Sequence, residues 1–163
     1  MIGNDIVDLA LARKESNWKR NGFLDKIFTE NEQQLILNDA NPEIMVWNLW
    51  SRKEAAYKIY NRETGIRGFF PIQLECFYEN ATLGTVSIKG KTYFTQSKIE
   101  NDSIYTIAVV KKEHFKKIKS IDSAEEILKK NGIPFIIDFD SKMEKPVSIT
   151  HHGRFWRGVI LIN

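Results

Sequence analysis

Polar and apolar positions change their period along this chain, and the changes divide it into elements. From residue 2 to residue 9 the alternation has the period of a strand, which sets Gly3, Asp5, Val7 and Leu9 on one face. Helical spacing then leads through Leu11, Ala12 and Trp18, and a short helix is expected around residues 31 to 37. Pro42 opens a long helix, because proline is tolerated in a first turn and good helix formers run from Glu43 to about Asn61. A glycine-bearing loop, residues 65 to 68, ends it. Ile72, Leu74 and Cys76 then alternate with Gln73 and Glu75, which predicts a strand, and further strands are expected near 85 to 88, 92 to 96 and 104 to 110. Ser123 begins a Ser-x-x-Glu capping box that predicts a helix over 123 to 130, stopped by Gly132. Strands at 135 to 139, 147 to 150 and 155 to 162 complete an α+β pattern, a mainly antiparallel sheet packed against a long helix and shorter ones.

Two acidic motifs break this patterning. In Gly3-Asn4-Asp5-Ile6-Val7-Asp8-Leu9, Asp5 sits among residues that should face the core, where a charge needs a partner. In Trp50-Ser51-Arg52-Lys53-Glu54-Ala55-Ala56-Tyr57-Lys58, Glu54 and Lys58 lie one helical turn apart on the stripe that carries Trp47 and Trp50. Each motif alone is ordinary salt-bridge usage. Together, two carboxylates from separate elements beside a lysine suit a magnesium ion that keeps several waters and shares phosphate oxygens with the lysine.

The conjunction resembles the 4'-phosphopantetheinyl transferase superfamily, with its G-x-D strand and W-[ST]-x-K-E-[AS]-x-x-K helix. Phe28-Thr29-Glu30-Asn31-Glu32 is similar to that family's F-[ST]-x-x-E element, Thr64-Gly65-Ile66-Arg67-Gly68 to its glycine loop, and Lys145-Pro146-Val147-Ser148-Ile149-Thr150-His151 to its K-P-x-x-[SN]-x-S-H strand. The resemblance implies transfer of phosphopantetheine from coenzyme A to a serine of an acyl or peptidyl carrier protein. It also implies Asp5 and Glu54 as magnesium ligands and Lys58 on the pyrophosphate, with Gly65, Arg67, Ser148 and His151 around the coenzyme. Glu54, directly or through a water, or Glu32 would take the serine proton; Glu32 reads equally as a helix-terminal acid. Where larger members carry a second acid two residues after Asp5, this chain has Val7, so a water is expected in its place. Residues 1 to 110 look like a core with both acidic motifs, and 111 to 163 like an appended unit bearing the histidine motif, together one domain. A monomer and a homotrimer both fit. A non-catalytic module that docks a carrier or synthase is the rival reading.

Composition narrows the rest. With 163 residues, 42% apolar and 28% charged, the chain suits one globular domain. No apolar run reaches the ~18–20 residues of a membrane helix and no signal pattern opens the chain, so a cytoplasmic setting is expected. A net charge of +3 is too small for a nucleic-acid binder, but it suits steering of an acidic carrier, with Arg13, Lys14 and Arg20 as candidates on the first helix. The lysines between 111 and 119 read as a solvated linker. Cys76, the single cysteine, reads as an inert buried thiol.

Overall fold

The computed structural model describes residues 1–162. Two five-stranded antiparallel sheets form most of it. The first has the order β1-β5-β4-β3-β2, from β1 (Ile2–Asp8), β2 (Glu75–Tyr78), β3 (Leu83–Ile88), β4 (Lys91–Glu100) and β5 (Ser103–Val109). The second has the order β6-β10-β9-β8-β7, from β6 (Ile118–Ile121), β7 (Leu128–Lys130), β8 (Ile133–Ile137), β9 (Glu144–His152) and β10 (Phe155–Leu161). Three short helices, α1 (Leu9–Glu15), α2 (Phe23–Ile27) and α3 (Glu30–Asn38), precede the long α4 (Pro42–Thr64).

Helix α4 organises the first sheet. Asn41 caps its start, Pro42 occupies its first turn, and Gly65 ends it in the left-handed region at φ 71°. Val46, Leu49, Ala56 and Ile59 are fully buried against Val86, Ile104 and Ala108 of the sheet. Each large aliphatic side chain so buried contributes about 1.5–3 kcal/mol. Gly3 sets how closely helix and strand approach: a Cβ there would stand 2.0 Å from the Ala55 carbonyl oxygen. Only glycine allows that contact.

Sheet two meets sheet one through side chains. One edge of β1 pairs with β5, and the N–H groups of Asn4, Ile6 and Asp8 donate to Ser148 Oγ (3.0 Å), Thr150 Oγ1 (3.3 Å) and His152 Nδ1 (2.9 Å) on β9. The period-two spacing is the same on both strands, so three successive partners fall in step. Ile2 and Val109 of the first sheet pack with Val159 of the second, and Phe115 and Ile118 join that cluster.

Several sequence expectations change. Residues 123–130 do not form a helix: Lys130 pairs with Ile133 across Asn131-Gly132, whose φ values of 52° and 77° fit a two-residue hairpin turn. That turn outweighs the capping box. Pro71 opens a short 3-10 turn, Pro71–Gln73, so the strand begins only at Glu75 and Ile72 is exposed. Helix α1 stops at Glu15, leaving Arg20 beyond it. The lysine-rich stretch is a 3-10 helix, Lys112–Lys117, followed by β6, not a linker. No helix of the described residues is long and apolar enough to cross a membrane.

Candidate active site

The close approach at Gly3 brings Asp5, two residues on and on the same strand face, against the middle of α4. Asp5, Glu54, Trp50, Trp47, His151 and His152 line one cavity of about 230 Å³. Edge-to-face aromatic contacts bound its helical side, Trp47 to Trp50 at 6.4 Å and Trp50 to Phe69 at 5.3 Å. Val7, where an acid might have stood, is a buried apolar wall of the same cavity.

Its charges are incompletely matched. Asp5 Oδ1 accepts from Thr150 Oγ1 at 3.3 Å, whereas Asp5 Oδ2 and Ser51 Oγ, buried and near enough for the hydroxyl to favour the carboxylate, form no hydrogen bond of good geometry, and Trp47 Nε1 is also buried with no partner. Burial raises the Asp5 pKa, opposed by the charge of Lys58. Glu54 is pushed up to about 7, first by burial and then by Asp5, again with Lys58 opposing. Lys58 is lowered by burial, and both acids hold it up. Its Nζ donates to Asn4 O (2.6 Å) and Ile149 O (3.1 Å), so it bridges the seam between the sheets with one of its three N–H donors left. Among the described residues no group of three or more His, Cys, Asp or Glu side chains gathers as a metal site.

Asp5, Glu54, Lys58 and His151 therefore come together around the seam. Ser148 lies within it, its hydroxyl donating to Asn4 Oδ1 (2.7 Å) while accepting from Asn4 N. Gly65 caps α4, and Arg67 Nη2 donates to Asn131 O (2.7 Å) in the β7–β8 turn; neither lines the acidic cavity. Glu32 lies elsewhere, which corrects its expectation as a base. Its carboxylate is fully buried and saturated, Oε1 by Cys76 N (2.7 Å) and Oε2 by Thr29 N (2.8 Å) and Lys53 Nζ (2.6 Å), so it has no route to a substrate hydroxyl. The thiol of Cys76 is buried and its pKa raised, so it is inert as expected.

The basic candidates on the amino-terminal side also change. Arg13 pairs with Glu43 (2.9 Å) and Asp102 (3.0 Å), so it presents no free charge; Arg154, in the β9–β10 turn, binds Asp8 through both guanidinium and backbone. Asp8 caps α1 and is held well below the usual carboxylate range by Arg154. His152 was missed by sequence reasoning. Its signal was the alternation of Ser148, Thr150 and His152, three hydrogen-bonding side chains on one face of a strand.

Comparison with known proteins agrees with this geometry. The family model of the 4'-phosphopantetheinyl transferase superfamily matches residues 1–110, the part that holds both acidic motifs. A holo-[acyl-carrier-protein] synthase of Caldanaerobacter subterraneus is 33% identical over 90 residues, 55% of this chain and 68% of that one. In fold, the chain is similar to the Helicobacter pylori holo-[acyl-carrier-protein] synthase solved in complex with coenzyme A: TM-score 0.53 at 16% identity, over 68% of this chain and 100% of that one. The Thermotoga maritima synthase gives a TM-score of 0.52 at 15% identity, over 98% of this chain and 81% of that one. A match across two thirds of the sequence, with the same architecture beneath it, places the chain in the 4'-phosphopantetheinyl transferase superfamily of enzymes.

Proposed function

We propose that this enzyme transfers 4'-phosphopantetheine from coenzyme A to a serine of an apo carrier protein, with magnesium, and that the residues around Asp5 carry the reaction. The observation that supports this most is the unmatched pair: two carboxylates from different elements beside one lysine, one of them with a buried oxygen that no well-formed hydrogen bond satisfies. Asp5 and Glu54 fit magnesium, which takes oxygen donors, accepts as few as one or two carboxylates and keeps several waters. When bound, the ion would supply positive charge against the pyrophosphate oxygens.

The chain's own residues then have distinct roles. Lys58, fixed by two backbone carbonyls, offers its remaining N–H to the pyrophosphate as a preorganised charge. The serine Oγ bonds to the phosphorus bearing pantetheine as the bond to adenosine 3',5'-bisphosphate breaks. The serine proton passes to Glu54, directly or through a water, as the acid beside the cavity that Glu32 cannot replace. His151, exposed at the cavity mouth, donates to a coenzyme phosphate. Both sheets contribute to the cavity, which supports reading residues 1–163 as one domain. A cytoplasmic setting and an acidic carrier partner belong to the same proposal.

The test is to incubate the protein with coenzyme A, magnesium and an apo acyl carrier protein and to follow the carrier by mass spectrometry. Modified carrier is expected, and it should vanish when magnesium is chelated. An unmodified carrier, with the protein nonetheless binding it, would instead indicate a docking module.

A further inference from the structure

Asn4 stands where the strand pattern calls for an apolar residue. Ile2 and Ile6 flank it on the same face of β1, and all three are buried, Asn4 completely. A buried amide costs free energy unless its polar atoms find partners. Here they do: Oδ1 accepts from Ser148 Oγ on β9 (2.7 Å), and Nδ2 donates to Arg157 O on β10 (3.3 Å) and to Tyr105 OH on β5 (3.2 Å). Ser148 Oγ also accepts from Asn4 N (3.0 Å), so both bonds of that hydroxyl are made to one residue. The Asn4 carbonyl, meanwhile, accepts from Lys58 Nζ at 2.6 Å, and the other acceptor of that ammonium, Ile149 O at 3.1 Å, lies on β9 next to Ser148. Among the described residues no ladder of backbone hydrogen bonds joins β1 to β9, which belong to different sheets, so side chains set the separation of the two carbonyls. Strand β9 reaches α4 on its own account. Arg62, one turn beyond Lys58, donates through Nη2 to Val147 O (2.6 Å) and Pro134 O (3.3 Å), beside a cavity of about 180 Å³. What remains to be fixed is β1 against β9, and the Asn4 side chain spans that gap.

We infer that Asn4 is the positioning residue for Lys58: its amide holds β1 against the second sheet at the separation that brings the Asn4 and Ile149 carbonyls onto one ammonium. With two donors of Lys58 so placed, the direction of its third N–H is set. Packing alone does not explain the amide. The near-isosteric leucine would continue the Ile2 and Ile6 face with no buried polar atom to satisfy, whereas a satisfied polar network selects one arrangement of the strands it joins. Ser148, Ile149 and Arg157 lie outside the family-matched residues 1–110, so the tie runs from the matched part to the sheet beyond it. Its effect on rate rests on the transfer reading of the Asp5 and Glu54 site; the placing of Lys58 does not.

The experiment on the full chain is amine labelling with acetic anhydride, each lysine read by peptide mass spectrometry, for the wild type, Asn4→Leu and Tyr105→Phe. Lys53 is the internal reference, since it is fully buried on the same helix and its acceptors lie away from the seam. In Asn4→Leu, labelling of Lys58 should rise about fivefold or more, the weight of a lost hydrogen bond, with Lys53 within about twofold of wild type. Tyr105→Phe removes one Nδ2 acceptor and leaves Asn4 in place, so it keeps the test informative if Asn4→Leu unfolds, with Lys58 labelling raised about twofold. An equal rise at both lysines, or unchanged labelling of Lys58 in a folded variant, would overturn the assignment. On transfer, Asn4→Leu should lower kcat about tenfold in the wild-type background and less than about twofold in Lys58→Met, because a residue that acts through Lys58 has little more to lose there. Equal losses in the two backgrounds would mean that Asn4 serves the fold alone. Should the wild type modify no carrier, the labelling decides by itself: a rise confined to Lys58 keeps the positioning without the transfer reading, and no such rise removes it.

Discussion

Lys53 and Lys58 sit little more than one turn apart on α4, Lys53 fully buried and Lys58 partly so, each beside a carboxylate, yet their surroundings differ in how completely they are matched. Around Lys53 every charged atom is occupied: its Nζ donates to Glu32, Ile27 O and Pro71 O, and Glu32 accepts from two backbone N–H groups besides. That cluster ties α2, α3, β2 and the 3-10 turn to α4. Around Lys58 the matching stops short, with Asp5 Oδ2 satisfied by no well-formed hydrogen bond and Glu54 held near a neutral pKa by burial and a like charge. A saturated buried pair is a structural tie. An unsaturated one keeps an unfavourable arrangement that a ligand can relieve, which is the pattern of a functional site.

The comparison is broken most severely at Lys53. Lys53→Met leaves Glu32 as an uncompensated buried charge and should cost about 3–5 kcal/mol in urea unfolding. If that variant folded with wild-type stability and lost only transfer, the two clusters would not differ in kind.

At Glu54 the sign reverses. Its folded pKa of about 7 lies above the ordinary 4.5, so between those values the native state binds more protons than the unfolded one. Stability from this group is therefore full below about pH 4.5 and is lost as pH rises through about 7. The difference is worth roughly 3 kcal/mol at 1.36 kcal/mol per pKa unit. Glu54→Gln should then be more stable than wild type at pH 8 without metal, with the gap closing towards pH 4.5, while transfer is abolished. Parallel stability curves for the two proteins would mean that Glu54 is an ordinary carboxylate.

The smallest effect is expected at the seam. Thr150 Oγ1 accepts from Ile6 N and donates to Asp5 Oδ1, both at 3.3 Å, so Thr150→Val should cost about 1 kcal/mol. It should also lower transfer by releasing Asp5. Unchanged transfer would show that the strand face positions nothing.

What the sequence made legible follows the same division. Asp5, Glu54 and Lys58 were readable because a charge on an apolar strand face or helical stripe is anomalous locally. Helix α4 was readable from Pro42, its stripe and Gly65. Glu32 misled because its motif is local while its partners, Lys53 and Cys76 N, are distant in sequence. The helix expected at 123–130 failed because the Asn131-Gly132 turn, which was read only as a stop, selects strand pairing. Arg62 could not be read at all. Its carbonyl partners and the cavity beside it exist only once the second sheet folds against α4.

The proposed function depends on Asp5 and Glu54 acting together as one cation-binding site. Titrating metal-free protein with magnesium at pH 6, and counting protons by calorimetry in buffers of different ionisation enthalpy, tests it most directly. Most Glu54 should be protonated there, so binding should release about one proton per chain. Release should disappear in Glu54→Gln, and Asp5→Asn should weaken the binding itself. Magnesium binding without proton release, or release unaltered by both substitutions, would contradict the account.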